Sequence, residues 1–294
     1  MRREVRWERM FPDELEAAYD ECPVAYLPYG LCEPHGPLNA LGNDGIRSHE
    51  TCILAARKHG GIVCPPEYWH CHEIGGYAVW GHKQIGNQRT WLTAVPPWIF
   101  LKNMCYHIRA MDALRFHATV IFSGHSGPHR KDVPVIIETM QPHVDTQIDW
   151  FVSSGTDTDH FQDGDGTGGH AGRGETSQLW SVAPDCVDLS RYPGPDAERL
   201  LFAMGQFNDR ASRRVGDAMT ADVVERLSAR ANALMADYSP KRERPLTFGD
   251  VEQIWADEIQ PKLKDFASLQ QGDEAPPEDS QWRTNWEIPA SFPG

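Results

Sequence analysis

The chain offers little that would tie it to an oxidising compartment, a membrane or a polyanion. Its 294 residues include only seven cysteines, an odd count with scattered spacing and no C-x-x-C pair. Neither a disulfide framework nor a zinc knuckle is indicated, and reduced thiols in a cytoplasm are the expectation. Cys52 and Cys105 fall inside apolar helical patterns and read as plain core residues. No stretch reaches the uninterrupted apolar length of a membrane helix, and the opening Met1-Arg-Arg-Glu-Val-Arg-Trp-Glu-Arg lacks the apolar centre of a signal peptide. Positive charge is scarce as well. With 28 Lys and Arg against 42 Asp and Glu the net charge is −14, which nucleic-acid phosphates and anionic membranes would repel. There is no internal repeat, and no G-x-S-x-G elbow to support a serine hydrolase.

What is present suits an ordinary globular enzyme. Hydrophobic residues make up 40% and charged residues 24%, and a chain of this length can bury a real core. The apolar pattern predicts a short acidic helix over 12–20, then a buried strand from Val24 to Gly30. A helix from Ile46 to Lys58 and a strand over Gly61–Pro65 follow, then a helical pattern from Trp98 to Phe116 and a strand from Ala118 to a Gly-His corner. Further helices are expected over 133–139, 176–182 and 221–238, with a strand near 148–153 and one acidic helix over 249–269. Alternating strands and helices imply α/β architecture, a largely parallel sheet covered on both faces. Ligands in such folds bind beyond the carboxyl ends of the strands.

The chemistry-bearing residues fall at those strand ends. Glu33-Pro-His35 places a carboxylate and an imidazole two apart, so an extended segment projects both to one side. Asp44 follows at the mouth of a helix. Carboxylate plus imidazole is a ligand mixture for zinc, manganese or ferrous iron; the same three residues could equally satisfy loop amides and cap a helix. His125 lies in Ser123-Gly-His-Ser-Gly-Pro, where glycines allow a sharp turn. His170 and Glu175 lie in Gly169-His-Ala-Gly-Arg-Gly-Glu-Thr-Ser, a glycine-rich turn opening a helix.

Taken in order, Glu-x-His-Gly, a downstream Asp, Gly-His at a strand end and His-Ala-Gly-x-x-Glu-Thr-Ser resemble the creatininase family, from about Tyr26 to Leu189 with a weaker helical echo to Ala236. The resemblance implies a three-layer α/β/α domain over 1–240 that acts on a small molecule, commonly as a homo-oligomer. It leaves 241–294 as a helical C-terminal extension. It also implies one or two divalent ions per subunit. By that likeness Glu33 and His125 resemble ligands of one metal, His35 a ligand of the other, and Asp44 the bridge. His170 resembles the acid–base histidine, and Glu175 a glutamate that binds metal or holds water. A cyclic amide or formamide C–N bond is the first expectation for the substrate, a cyclic ketosugar the second, and an inactive metal-holding scaffold the third. One position departs from creatininase itself: a second glutamate is expected two places after the strand-end histidine, and Gly127 stands there. That leaves the second metal weaker, absent or completed by Glu175.

Three features lie outside those motifs. The stretch Tyr68–His82 carries His70, His72 and His82 among Trp69, Tyr77 and Trp80; it reads as a substrate wall or oligomer contact, or as an extra metal site. Asp157, Asp159, His160, Asp163 and Asp165 break the EF-hand spacing and read as a polar lid near His170. Trp282 and Trp286 in the acidic tail are expected to dock on a surface, with a neighbouring subunit favoured.

Overall fold

A computed structural model describes residues 3–152, 169–194, 202–272 and 274–292. Asp157, Asp159, His160, Asp163 and Asp165 lie outside the described residues. In chain order the main elements are α1 (Pro12–Glu21), β1 (Val24–Tyr29), α2 (Asn43–His59), β2 (Ile62–Val63), β3 (His70–Cys71), α3 (Gly76–Ile85) and β4 (Ala94–Val95). They are followed by α4 (Pro97–Ala113), β5 (Ala118–Ser123), α5 (Val133–Met140), β6 (Gln147–Val152), α6 (Arg173–Val182), α7 (Arg213–Asp237) and α8 (Phe248–Ile254).

The central sheet runs β2-β1-β5-β6, every pair parallel. Side chains alternate between its faces, and this period separates two cores. Val24 and Tyr26 of β1 and Ala118, Val120 and Phe122 of β5 pack with Cys52, Ile53 and Ala56 of α2 and with Val223, Val224 and Leu227 of α7. Their neighbours Ala25, Leu27, Tyr29 and Ile121 face the other way, toward α1, α4 and α5. The result is the three-layer α/β/α arrangement expected. Phe122, fully buried, stacks on Phe151 at 5.5 Å between centroids; truncating such a ring typically costs about 3–5 kcal/mol. Among the described residues no helix is long and apolar enough to cross a membrane.

After His72 the chain forms a helix that was not assigned from the sequence: Tyr77, Ala78, Gly81 and Ile85 are buried at helical spacing, and α3 begins once Gly75, at φ 51, turns the chain. Two local expectations are corrected. Helix α7 begins at Arg213, two turns earlier than its apolar stripe, because the Ser212 hydroxyl accepts a hydrogen bond from the Val215 amide. The single helix over 249–269 is broken into α8, a π turn (Trp255–Ile259) and 3-10 turns. Pro261 supplies no N–H to continue it.

The C-terminal segment belongs to the same body. Leu246, Val251, Trp255, Leu263, Phe266 and Leu269 join the α4/α5-side core. Two buried carboxylates fasten it: Asp145 accepts the Lys241 and Arg242 amides, and Asp132 accepts those of Ala267 and Ser268. Trp282 is 3% exposed and packs on this chain's own α3, so the tail docks on its own subunit rather than awaiting a neighbour.

Candidate metal centre

Glu33, His35, Asp44, His125 and Glu175 come from four separate loops and meet at the carboxyl ends of β1 and β5. Glu33 and His35 lie just beyond β1, Asp44 in the first turn of α2, His125 two residues beyond β5, and Glu175 in the first turn of α6. Parallel strands deliver their C-terminal loops to one edge, which is why residues 142 apart in sequence share one site.

The Asp44 carboxylate divides the cluster in two. Its Oδ2 lies 3.3 Å from His125 Nδ1, which is also 3.1 Å from Glu33 Oε1. Its Oδ1 lies 3.2 Å from His35 Nε2, which is 3.5 Å from Glu175 Oε2. Two three-donor groups, Glu33/Asp44/His125 and His35/Asp44/Glu175, therefore share one aspartate. His35, Asp44 and Glu33 are almost wholly buried, and Glu175 is 14% exposed.

The donors fit divalent cations for a reason visible at His35. Its Nδ1–H donates to the Glu33 carbonyl, 3.1 Å away. A carbonyl can only accept, so in the neutral ring Nε2 turns a lone pair toward two carboxylates. That atom has no hydrogen-bond partner. Acceptors facing acceptors in a buried space need a proton or a cation between them. Without metal a proton is drawn in: burial disfavours charge on His35, but Asp44, Glu175 and Glu33 outweigh it and raise its pKa well above the usual value. His125 follows the same pattern, burial opposed by Glu33 and Asp44, and rises to about 10. Asp44 is held well below the carboxylate range, burial being outweighed by His35 and His125. Glu175 falls to about 2, its burial outweighed by Arg47 and His35.

His170 stands beside the Glu33 side of the cluster. Its Nε2–H donates to the Pro34 carbonyl at 2.9 Å, which leaves Nδ1 directed at Glu33 Oε1, 3.7 Å away. Ala171, next in the chain, sits at φ 53 and donates its amide to Glu175 Oε2 at 2.7 Å. A left-handed alanine costs of order 1 kcal/mol and persists because its surroundings demand it.

The remaining sequence candidates divide. His72 reaches the cluster, with Nε2 3.6 Å from Glu33 Oε2, and burial lowers its pKa to about 4. Half-buried Trp80 meets the His170 ring edge-on at 5.0 Å. His70 lies one layer back, stacked on Phe100 and edge-on to His125 at 4.9 Å, in a separate buried group with Cys71 and His129. Burial and its histidine neighbours hold its pKa well below the usual value. Trp69 and His82 are not brought to the cluster. Trp69 is 57% exposed near Ile99 and Tyr106, and His82 bonds Ser280 of the tail. They share a stretch of sequence with His70 and His72, but His82 lies within α3 and Trp69 is exposed.

Arg47 was not singled out from sequence, and Tyr77 was named there only as part of an aromatic wall. Arg47, 1% exposed, directs Nη2 at Asp44 Oδ1 (3.2 Å), Glu175 Oε1 (3.0 Å) and the Gly124 carbonyl (2.6 Å). Its place three residues after Asp44 on one helix was the available signal. Tyr77 explains Gly127: a Cβ there would lie 2.9 Å from the Tyr77 ring, whose hydroxyl bonds His129 Nδ1 at 2.7 Å. The space for a side chain at 127 is filled, and Glu175 supplies the third donor of the second group instead.

The creatininase family model, described as creatinine amidohydrolase, matches residues 8–236. The chain belongs to the creatininase family. Members of that family are metal-dependent amidohydrolases, and the described residues contain donor groups that could hold a metal ion. Similar solved structures include a manganese form of creatininase (20% identity, 81% of this chain and 100% of that one, TM-score 0.57). A Zn-Zn mutant creatininase (21%, 81% and 99%, 0.57) and a mutant creatininase complexed with creatine (20%, 81% and 100%, 0.58) are similar too. At this identity the likeness shows the fold. No curated protein matches the chain.

Proposed function

We propose that this creatininase-family chain hydrolyses a C–N bond of a small cyclic amide or formamide at a pair of divalent metal ions. The carrying observation is Asp44, whose two oxygens face two separate histidines. Glu33 and His125 would complete one metal site, and His35 and Glu175 the other. When bound, such a pair supplies Lewis-acid polarisation of a carbonyl and a water of lowered pKa. The protein's own groups do the rest. Arg47 offsets part of the charge of Asp44 and Glu175 and holds both carboxylates in place. His170 keeps Nε2–H on the Pro34 carbonyl, and its Nδ1 would take a proton from the attacking water and pass it to the leaving nitrogen. Trp80 gives the substrate an aromatic wall beside that atom. The same ring favours the second reading, a cyclic ketosugar, because sugar rings also pack on aromatic faces.

The manganese, zinc and creatine-bound creatininases support metal-dependent action on a small guanidino or amide compound. We further propose that residues 1–240 form the catalytic domain, that 241–294 is an addition to it, and that the chain assembles with copies of itself. Exposed Trp69, Trp91 and Ile99 offer apolar surface for the last.

The test is elemental analysis of the purified chain, followed by hydrolysis assays on cyclic amides, formamides and cyclic ketosugars. Two metals per chain and C–N cleavage are expected, with Asp44→Ala losing both metals and nearly all turnover. Turnover on ketosugars alone would select the second reading. A metal-loaded chain inert to all three classes would instead be the scaffold.

A further inference from the structure

We infer that the C-terminal segment beyond the family-matched region is part of the metal centre, with Trp282 acting as a positioning residue for Glu33 through His72. The inference rests on the metal-centre reading above and assigns a role to a segment that lies outside residues 8–236.

The linkage starts at His72. Its Nδ1 accepts the Glu73 amide at 2.9 Å, so the neutral ring carries its proton on Nε2. That Nε2–H faces Glu33 Oε2 at 3.6 Å, while Glu33 Oε1 faces His125. A donor on one carboxylate oxygen fixes which oxygen is offered to a metal, the usual task of the groups behind a ligand. His72 itself sits where regular strand pairing stops. Strand β3 ends at Cys71 after two residues, and Glu73 adopts φ 68, a left-handed conformation unfavourable for a side-chain-bearing residue.

The tail secures that turn from outside. The Gly75 amide donates to the Trp286 carbonyl at 3.0 Å and the Gly76 amide to the Gln270 carbonyl at 3.1 Å, pinning the start of α3. At its other end Ser280 bonds His82, and Trp282 Nε1–H donates to the Gly86 carbonyl at 2.9 Å. Between these clamps the Trp282 ring lies flat against the helix backbone: a Cβ on Gly81 would come within 2.6 Å of it. The ring centroid is 6.0 Å from His72, which in turn contacts Tyr77 at 4.8 Å and Trp80 at 5.8 Å. Removing Trp282 would open a void behind His72 and free it from Glu33.

The experiment measures metal affinity by chelator competition on the full-length chain, independently of turnover, for wild type, Trp282→Ala, His72→Leu and the double variant. Replacing a group behind a ligand weakens metal binding by about 10–100-fold. That loss is expected for each single variant, in one of the two metal sites. The double variant should be little worse than His72→Leu alone, because Trp282 acts through His72. His72→Gln, which keeps an amide donor, and Trp282→Phe, which keeps a ring, should recover most of the affinity. If Trp282→Ala does not fold, Trp282→Phe and the His72 Leu/Gln pair decide the matter. Unchanged affinity in Trp282→Ala, losses that add in the double variant, or equal loss in His72→Leu and His72→Gln would each overturn the inference while leaving the metal centre standing. A wild-type chain that binds no metal would overturn both.

Discussion

Arg47 is the position at which charge balance in the site can be tested without knowing the substrate. Arg47→Met keeps a long unbranched side chain and removes the guanidinium. In the metal-free protein that leaves Asp44 and Glu175, both within 3.2 Å of Arg47 Nη2, with only the neighbouring histidines as cations, and strips the Gly124 carbonyl of its donor. Breaking a buried ion pair by removing one partner costs about 3–5 kcal/mol. Against a typical total stability of about 5–15 kcal/mol, that is a large fraction. Divalent ions between the same carboxylates would supply the missing positive charge. The loaded variant should then suffer mainly the lost hydrogen bond to Gly124, about 1–3 kcal/mol. Urea denaturation of wild type and variant, each with chelator and with excess zinc, measures both numbers. The destabilisation should be larger in chelator by about 2 kcal/mol, the difference between the middles of those two ranges. Equal destabilisation in both conditions would refute the view that Arg47 and the metals share one charge-balancing task.

Two further outcomes are expected. His170→Ala should keep its metals by elemental analysis and slow turnover by about 10²–10⁴-fold; loss of metal instead would make His170 a ligand. His72 gives a pH dependence, since burial depresses it from 6.5 to about 4 in the folded state. Between those values the unfolded chain binds the extra proton, so folding stability is present above pH 6.5 and is lost as pH falls toward 4. Relative to His72→Gln, wild type should lose up to about 3 kcal/mol across that window in denaturation series. A flat difference between the two proteins would show that His72 is not held neutral by its surroundings.

Local signals settled much of this protein. Short continuous apolar runs in β1 and β5, both buried throughout and punctuated by Gly30 and Gly124, are enough to place two buried strands and the loops that follow them. That Glu33, His35, Asp44 and His125 would share one end of the sheet was legible in the order of motifs that resembles the creatininase family; taken singly, the same residues could equally have capped a helix or satisfied loop amides. Glu175 was picked out by the same resemblance, with its role left open between binding metal and holding water. Whether it replaces the side chain missing at Gly127 depends on Tyr77, fifty residues earlier in the chain, filling that space. Arg47 was invisible for a related reason: an arginine three residues along a helix usually faces water, and only the closing of α6 over α2 buries it between two carboxylates. His70, His72 and His82 share one composition and one short stretch, yet they end in three places. A backbone turn at Glu73 and Gly75, held by a tail some two hundred residues away, sends one to Glu33, one behind His125 and one to Ser280. Sequence order determines which groups reach the strand ends. Only the tertiary contacts decide which of them face each other, because burial and a shared neighbour act between residues that the chain keeps far apart.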